Sequence, residues 1–406
     1  MWRNWRDWRL WRKQPPSFVL WAAWLVSRAV LYVAGTIPRL AGDVGLYQHW
    51  YVCCLARHAF PGADPMWQYP PGAGLVLWLP GLLPGGYLDD FALLAVGCDL
   101  AVTVILAAAA RRGGSPAGAW YWVCVVPVLG PLAVDRLDMI PVMLSVAALC
   151  AAGRGGARGG LLAAAVAVKA WPVTLLAGTA PGQWRRVLTA LAALLTAVVI
   201  LRGPTMSFLA HQEARGTEIE SAVAAPLMIW RLAGWHGSVV YKYGAWQLSG
   251  EDAWLVRDAS RLSLILIAVA VTAWCAATAR GRIRWRPEFA ADAPLAVTLL
   301  MLVASPVLSP QYLLWAIGLA AACLAARQTT QRPAALAILA ATLLTVIVFP
   351  VGWPSLLRGS ALMTGILAAR NALLVAAAAA SCLRVLSAVR AGRDGGRQVR
   401  EAAAQV

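Results

Sequence analysis

The chain has 406 residues, 60% of them hydrophobic and only 13% charged, with a mean hydropathy of +0.66 and a formal net charge of +17. That balance excludes an ordinary soluble domain of this length and predicts an all-α, polytopic integral membrane protein. The basic excess lies in short clusters between apolar runs, as in cytoplasmic loops, and not in one continuous patch, so no nucleic acid partner is expected.

The chain opens on "MWRNWRDWRLWRK", with Trp at 2, 5, 8 and 11 and Arg at 3, 6, 9 and 12. Trp favours the headgroup boundary and Arg favours anionic lipid, which predicts a cytoplasmic interfacial helix over 1–16. The apolar run 17–37 has no small-residue cleavage site after it and reads as an uncleaved span leading outward. Asp43 and His49 of "AGDVGLYQHWY" then fall just beyond the first crossing.

Residues 91–110 cross back to Arg111 and Arg112, which leaves "YPPGAGLVLWLPGLLPGG", 69–86, as a re-entrant or interfacial piece punctuated by Pro and Gly. Residues 117–134 lead out to "DRLD", 135–138, and 139–152 return to the basic linker "GRGGARGG", which lacks a phosphate-loop spacing. Residues 161–184 read as a hairpin broken around Lys169, Trp171 and Pro172. A further crossing, 187–201, enters the largest polar stretch, 202–258, and crossings near 259–279, 290–307, 311–326, 333–350 and 360–383 follow.

The transmembrane domain thus runs over 17–390 with about 10 to 12 membrane helices, re-entrant pieces included, and a tail over 391–406 is expected to be disordered. The orientation was set by Lys and Arg alone, yet 12 of the 18 acidic residues fall in segments assigned outside, which supports it independently. Localisation to the plasma membrane follows, with a cytoplasmic N-terminus. The eight cysteines show no CxxC pair or zinc spacing; Cys53 and Cys54 are adjacent, and sequence leaves their oxidation open.

On this map the unusual polar residues gather on the outer face: Asp43, His49, Tyr69, Asp135, Asp138, the "HQEARGTEIES" segment and "SPVLSPQY". An enzyme there has no nucleotide-sugar supply and must draw on a lipid-linked donor, for which polyprenyl-phosphate sugars are the obvious source. Asp43 reads either as an interfacial cap or as a base, and Asp138 as an N-cap or a site residue. Lys169, amid "AAAVAVKAWPV", costs about 2.5–3.5 kcal/mol in a bilayer unless it snorkels or faces a cavity, so it is read as site-facing. "HQEARGTEIES" is expected to form a short amphipathic helix. Arg28, Asp99 and Arg370 are intramembrane by this map and are read as pairing among themselves.

The order of these features resembles the GT-C superfamily of polyprenyl-phosphate-dependent glycosyltransferases, and within it glycosyltransferase family 87, which includes actinobacterial alpha-mannosyltransferases. The resemblance runs from about Trp24 to Leu383 and rests on the order of short motifs. It implies a GT-C-type multi-helix bundle whose first extracytoplasmic loop carries the catalytic carboxylate, here Asp43. It also implies donor phosphate or substrate contacts at Tyr69, Arg136, Asp138, Lys169, Arg215, Glu218 and Glu220. His211 is added as a nearby cation by topology, and Gln311 and Tyr312 stand where the mannosyltransferase branch typically carries paired histidines.

The reaction read from this is transfer of a sugar, mannose favoured, from a polyprenyl-phosphate donor to an extracytoplasmic glycolipid or glycan. No metal or other cofactor is called for: one base suffices, because the phosphate leaves with its own charge. A transporter or flippase of a lipid-linked sugar is the rival reading, distinguished by polar residues near the midplane and an internal repeat. A non-catalytic assembly protein is a third.

Overall fold

The computed structural model describes residues 17–35, 42–151, 155–200 and 207–403. The expected interfacial helix over 1–16 lies outside them. The protein is an all-α polytopic membrane protein. Four described helices are long and apolar enough to cross a bilayer, namely Tyr87–Arg111, Glu251–Ala279, Arg332–Val351 and Ala361–Ala391, and seven shorter apolar helical stretches accompany them.

Helix α1 (Ser17–Gly35) is followed by α2 (Gly42–Cys53), whose terminal Cys53 is joined to the adjacent Cys54. The segment after Tyr69-Pro-Pro makes only two turns of helix, α3 (Gly72–Trp78), and a 3-10 turn over Leu79–Leu82. It is too short to cross, as its Pro and Gly content predicts. Helix α4 (Tyr87–Arg111), 25 residues long, is one of the four long apolar helices. Helix α5 (Ala117–Val125) tightens into 3-10 geometry over Val126–Ala133, broken at Gly130 with φ 60°, where Pro127 and Pro131 prevent a regular ladder.

Helices α6 (Met139–Cys150) and α7 (Gly155–Val168) pack on each other, and after Lys169 the chain turns back through a 3-10 segment, Trp171–Gly178. This is the hairpin read around Lys169. Helix α8 (Trp184–Ile200) follows. The polar stretch then holds α9 (Ser207–Ala214), β1 (Thr217–Glu218), α10 (Ala225–Arg231) and the strands β2 (Ser238–Lys242) and β3 (Ala245–Ser249). The three strands pair antiparallel in the order β1-β3-β2.

Sequence pattern missed this small sheet, because a two-residue strand and a five-residue hairpin carry too few alternations to register. It also extended the "HQEARGTEIES" helix too far: α9 stops at Ala214, and Thr217–Glu218 pair with β3 instead. The bundle closes with α11 (Glu251–Ala279), α12 (Phe289–Ala304), α13 (Leu313–Ala325), α14 (Arg332–Val346), α15 (Trp353–Leu357) and α16 (Ala361–Ala403). Helix α16 continues into the tail expected to be disordered, remaining helical to Ala403.

Alternation of these helices puts two sets of connections at opposite ends. One end collects the basic turns: Ser115 N–H donates to Ala325 O at 2.8 Å, Arg327 Nε to Gly113 O at 2.9 Å, and Arg158 Nη2 to Gly178 O at 2.6 Å. The other end collects the loops that carry Asp43, Tyr69, Arg136, Lys169, Arg215 and Gln311.

Close helix contact uses small residues, since lipid supplies no hydrophobic drive between helices. A Cβ on Gly118 of α5 would lie 2.4 Å from Ala321 O of α13, so only glycine admits that approach. Within the bundle Arg28 and Asp99 do pair, Nη2 to Oδ1 at 2.6 Å and Nε to Oδ2 at 2.8 Å. Trp24 Nε1 (2.7 Å) and Trp122 Nε1 (2.8 Å) complete the carboxylate's partners, which is what a buried charge in a low-dielectric interior requires. Arg370 does not join them; it pairs with Glu220 at 3.5 Å.

Candidate active site

The loops at the non-basic end enclose a cavity of about 350 Å³. Asp43 sits in the first turn of α2, where the helix dipole favours an anion, and Arg136 Nη1 forms an ion pair with its Oδ2. The Asp43 side chain remains 33% exposed, enough to meet a substrate hydroxyl. Arg136 comes from the turn before α6, and burial lowers its pKa against the opposing pull of Asp138. A guanidinium does not deprotonate in practice, so this marks a cation whose surroundings favour a further anion.

Asp138 immediately precedes α6 but does not cap it with its side chain. Its Oδ1 instead accepts from Lys169 Nζ at 2.7 Å and from Trp315 Nε1, with the residue only 2% exposed. Lys169, placed where α7 ends, has its ammonium 4.8 Å from the Tyr312 ring, 5.1 Å from Trp315 and 5.6 Å from Tyr69. The aromatic cage and the carboxylate together account for a lysine in an apolar run. Tyr312, Trp315 and Trp171 form a continuous stack.

Arg215 is fixed between Gln68 and Glu218: Nη1 donates to Gln68 Oε1 at 2.7 Å and Nη2 pairs with Glu218 Oε1. Burial works against the Arg215 charge, but Glu218, Tyr312 and Tyr69 together outweigh it and the net shift is upward. The other Glu218 oxygen accepts from Leu308 N–H at 3.1 Å and Ser309 Oγ at 3.3 Å, tying "SPVLSPQY" to the sheet. Glu220 also lines the cavity, yet its Oε1 has no hydrogen-bond partner among the described residues. Burial pushes its carboxyl up to about 8, with Arg370 opposing and Glu218 adding. Tyr69 donates or accepts with Tyr47 at 3.1 Å between hydroxyls, and burial raises both phenols, so both stay protonated.

Of the residues singled out by sequence, Asp43, Tyr69, Arg136, Lys169, Arg215, Glu218, Glu220, Gln311 and Tyr312 line this one cavity, and Asp138 stands directly behind Lys169. His211 does not join them. Its Nδ1 is within 2.8 Å of Trp67 O, whereas the next residue of α9, Gln212, lines the cavity. Sequence reading missed Gln68, Trp315 and Arg370, and the hairpin residues Tyr241, Tyr243 and Trp246 that wall the cavity. Gln68 and Trp315 adjoin quoted motifs, whereas Arg370 was set aside as an intramembrane pairing residue.

The model of glycosyltransferase family 87 matches residues 67–306, more than half of the chain. This protein belongs to glycosyltransferase family 87. It is therefore a glycosyltransferase, and the cavity is its candidate catalytic site. The matched span carries Tyr69, Arg136, Asp138, Lys169, Arg215, Glu218 and Glu220, while Asp43, Gln311 and Tyr312 lie outside it and enter the site by folding. No curated protein and no solved structure matches the chain.

Proposed function

We propose that this family 87 glycosyltransferase moves a sugar, mannose favoured, from a polyprenyl-phosphate donor onto a glycolipid or glycan acceptor at the extracytoplasmic face of the plasma membrane. Asp43 is the base that takes the proton of the attacking acceptor hydroxyl. The leaving phosphate carries its own charge and needs cations rather than an acid, a role given to Arg136, Lys169 and Arg215. Tyr69, Gln311 and Tyr312 contact the sugar or the phosphate.

The observation that carries this reading is the shared cavity of Asp43 with three cations from three separate loops. The Asp43–Arg136 pair supplies a way to couple the two halves of the reaction. An arginine fork can hold a carboxylate and a phosphate at once, so donor binding draws Arg136 toward the phosphate and leaves Asp43 a better proton acceptor. Orientation is supported by the basic connections at the opposite end of the bundle, which the positive-inside rule assigns to the cytoplasm.

The test is to incubate purified protein with polyprenyl-phosphate mannose or polyprenyl-phosphate arabinose and a cell-envelope lipid extract, then follow labelled sugar into lipid or glycan. Mannose transfer is the expected result. Transfer from arabinose alone would change the sugar, and transfer from a nucleotide sugar alone would overturn the donor class.

A further inference from the structure

The catalytic cavity has two kinds of aromatic wall. Around Lys169 the ring faces are taken: Tyr312 stacks on Trp315 at 4.1 Å, Trp315 on Trp171 at 5.1 Å, and the ammonium lies over Tyr69, Tyr312 and Trp315. Two further aromatic pairs line the same cavity, Tyr241 with Trp246 from the β2–β3 hairpin and Phe349 with Trp353 from the connection into α15. Their rings meet at steep angles, 60° and 82°. Among the described residues no ring stacks parallel on these four and no cation lies over them.

Glu220 belongs with this second wall. Tyr241 pairs with Trp246 in the hairpin register, and Ile219 N–H donates to Trp246 O at 3.1 Å, so the turn carrying Glu220 runs beside Trp246. Helix α16 holds that turn from behind, Arg370 Nη2 donating to Glu220 O at 3.1 Å and Asn371 Nδ2 to Ser221 O at 3.2 Å. Glu220 lines the cavity with 7% of its surface exposed, and its raised pKa keeps a proton on it at neutral pH. A protonated carboxyl both donates and accepts, as a sugar hydroxyl does.

The Asp43–Arg136 pair stands between the two walls. Arg136 feels the charges of Asp138 and Tyr312 and also those of Glu220 and Tyr241, whereas Arg215 feels Glu218, Tyr312 and Tyr69. In a direct displacement the acceptor hydroxyl gives its proton to Asp43 and its oxygen bonds to the anomeric carbon. The carbon–oxygen bond to phosphate breaks as this happens, and the phosphate leaves with the electron pair. The acceptor therefore approaches from the face away from the phosphate. With Lys169 and Arg215 gathered at Tyr69 and Tyr312, the wall left for the acceptor is the one with open ring faces. An open aromatic face beside a carboxyl suits a pyranose, whose C–H face packs on the ring while the hydroxyls at its rim meet the carboxyl. An open-chain polyol has the hydroxyls but no such face.

We infer that Tyr241, Trp246, Phe349 and Trp353 form the acceptor subsite, a shelf that binds a terminal pyranose of the acceptor by stacking, with Glu220 as its hydrogen-bonding partner. Its assignment to the acceptor rests on the transfer reaction proposed above; the sugar-binding shelf itself does not.

The test titrates methyl α-mannoside into full-length protein in lipid nanodiscs and follows saturation transfer to its ring protons, with mannitol in parallel. Wild type should bind the mannoside and not mannitol. Tyr241→Leu, at an exposed position, and Trp353→Leu, from a separate segment, should each weaken binding about three- to tenfold, whereas Tyr241→Phe, which keeps the ring, should retain it. Trp230→Leu, an exposed tryptophan that does not line the cavity, is the control and should leave binding unchanged. Wild-type affinity in Tyr241→Leu or Trp353→Leu, equal binding of mannitol, or no binding of the mannoside by wild type overturns the shelf. A polyprenyl mannosyl phosphonate, in which carbon replaces the bridging oxygen so that no transfer occurs, separates the two sugars of the reaction. Mannoside still bound in the presence of saturating phosphonate supports the acceptor side, and mannoside displaced by it overturns that side. A phosphonate that fails to bind contradicts the donor class proposed above, while the leucine variants still decide the shelf.

Discussion

Arg136 and Asp43 stand 93 positions apart in the chain, yet the turn before α6 carries one onto the other at the start of α2. The pair therefore reports whether two separate loops are correctly assembled, and it joins the proposed base to one of the proposed phosphate-binding cations. Arg136→Lys keeps the charge but loses the fork needed to bridge a carboxylate and a phosphate. On the proposed mechanism it should lower kcat/KM by about 10- to 100-fold with the melting temperature nearly unchanged. Steady-state transfer kinetics beside a thermal melt check this, and an unimpaired Arg136→Lys enzyme removes the bridging role.

The Lys169–Asp138 pair predicts a particular non-additivity. Lys169→Ala strands a carboxylate that is 2% exposed, leaving it the Trp315 hydrogen bond and the more distant charge of Arg136, at a cost of about 3–5 kcal/mol. Lys169→Ala/Asp138→Asn removes the stranded charge and should recover much of that loss. Melting temperatures of both single variants and the double variant close the cycle; equal melting of Lys169→Ala and the double variant contradicts a buried ionic pair.

Glu220 predicts a pH dependence of stability. Its folded-state carboxyl titrates at about 8 against an ordinary value of 4.5, so the folded protein holds a proton that the unfolded chain releases between these values. Its contribution to stability is therefore fully present below 4.5 and is lost progressively as pH rises toward 8. Glu220→Gln should flatten that decline, gaining on wild type as pH is raised. Thermal melts across this range, with wild type and variant in parallel, provide the measurement.

Much of this architecture was legible in the sequence because bilayer physics is severe. A span needs a long apolar run, and Pro-Gly punctuation forbids one, so the short α3 piece and the broken hairpin around Lys169 follow from residue order. Lys169 was legible as a site residue for the same reason, since a lysine in "AAAVAVKAWPV" needs a partner. What supplied that partner was not legible: Trp315 and Asp138 meet Lys169 only through packing of α6, α7 and α13. The same holds for Arg370. It was expected to pair with Asp99, but Asp99 is saturated by Arg28 and two tryptophans, and Arg370 turns to Glu220. His211 differs from the expectation by helix phase: on α9 its ring meets Trp67 O while the next residue, Gln212, lines the cavity.

The orientation of the bundle is checked by impermeant thiol labelling of intact cells in a background lacking Cys53 and Cys54. Cysteines at Ala59 and Ser249 should label, and one at Arg282 should not. Labelling at 282 with silence at 59 inverts the protein and removes the reason for a lipid-linked donor.

The most direct test of the account is Asp43→Asn. Asparagine keeps the size of the side chain and caps a helix about as well as aspartate, but it cannot take a proton. If Asp43 is the base, the folded variant binds the polyprenyl-phosphate donor with near wild-type affinity while sugar transfer falls by about 10² to 10⁴. A well-folded Asp43→Asn protein that transfers sugar at the wild-type rate contradicts the assignment.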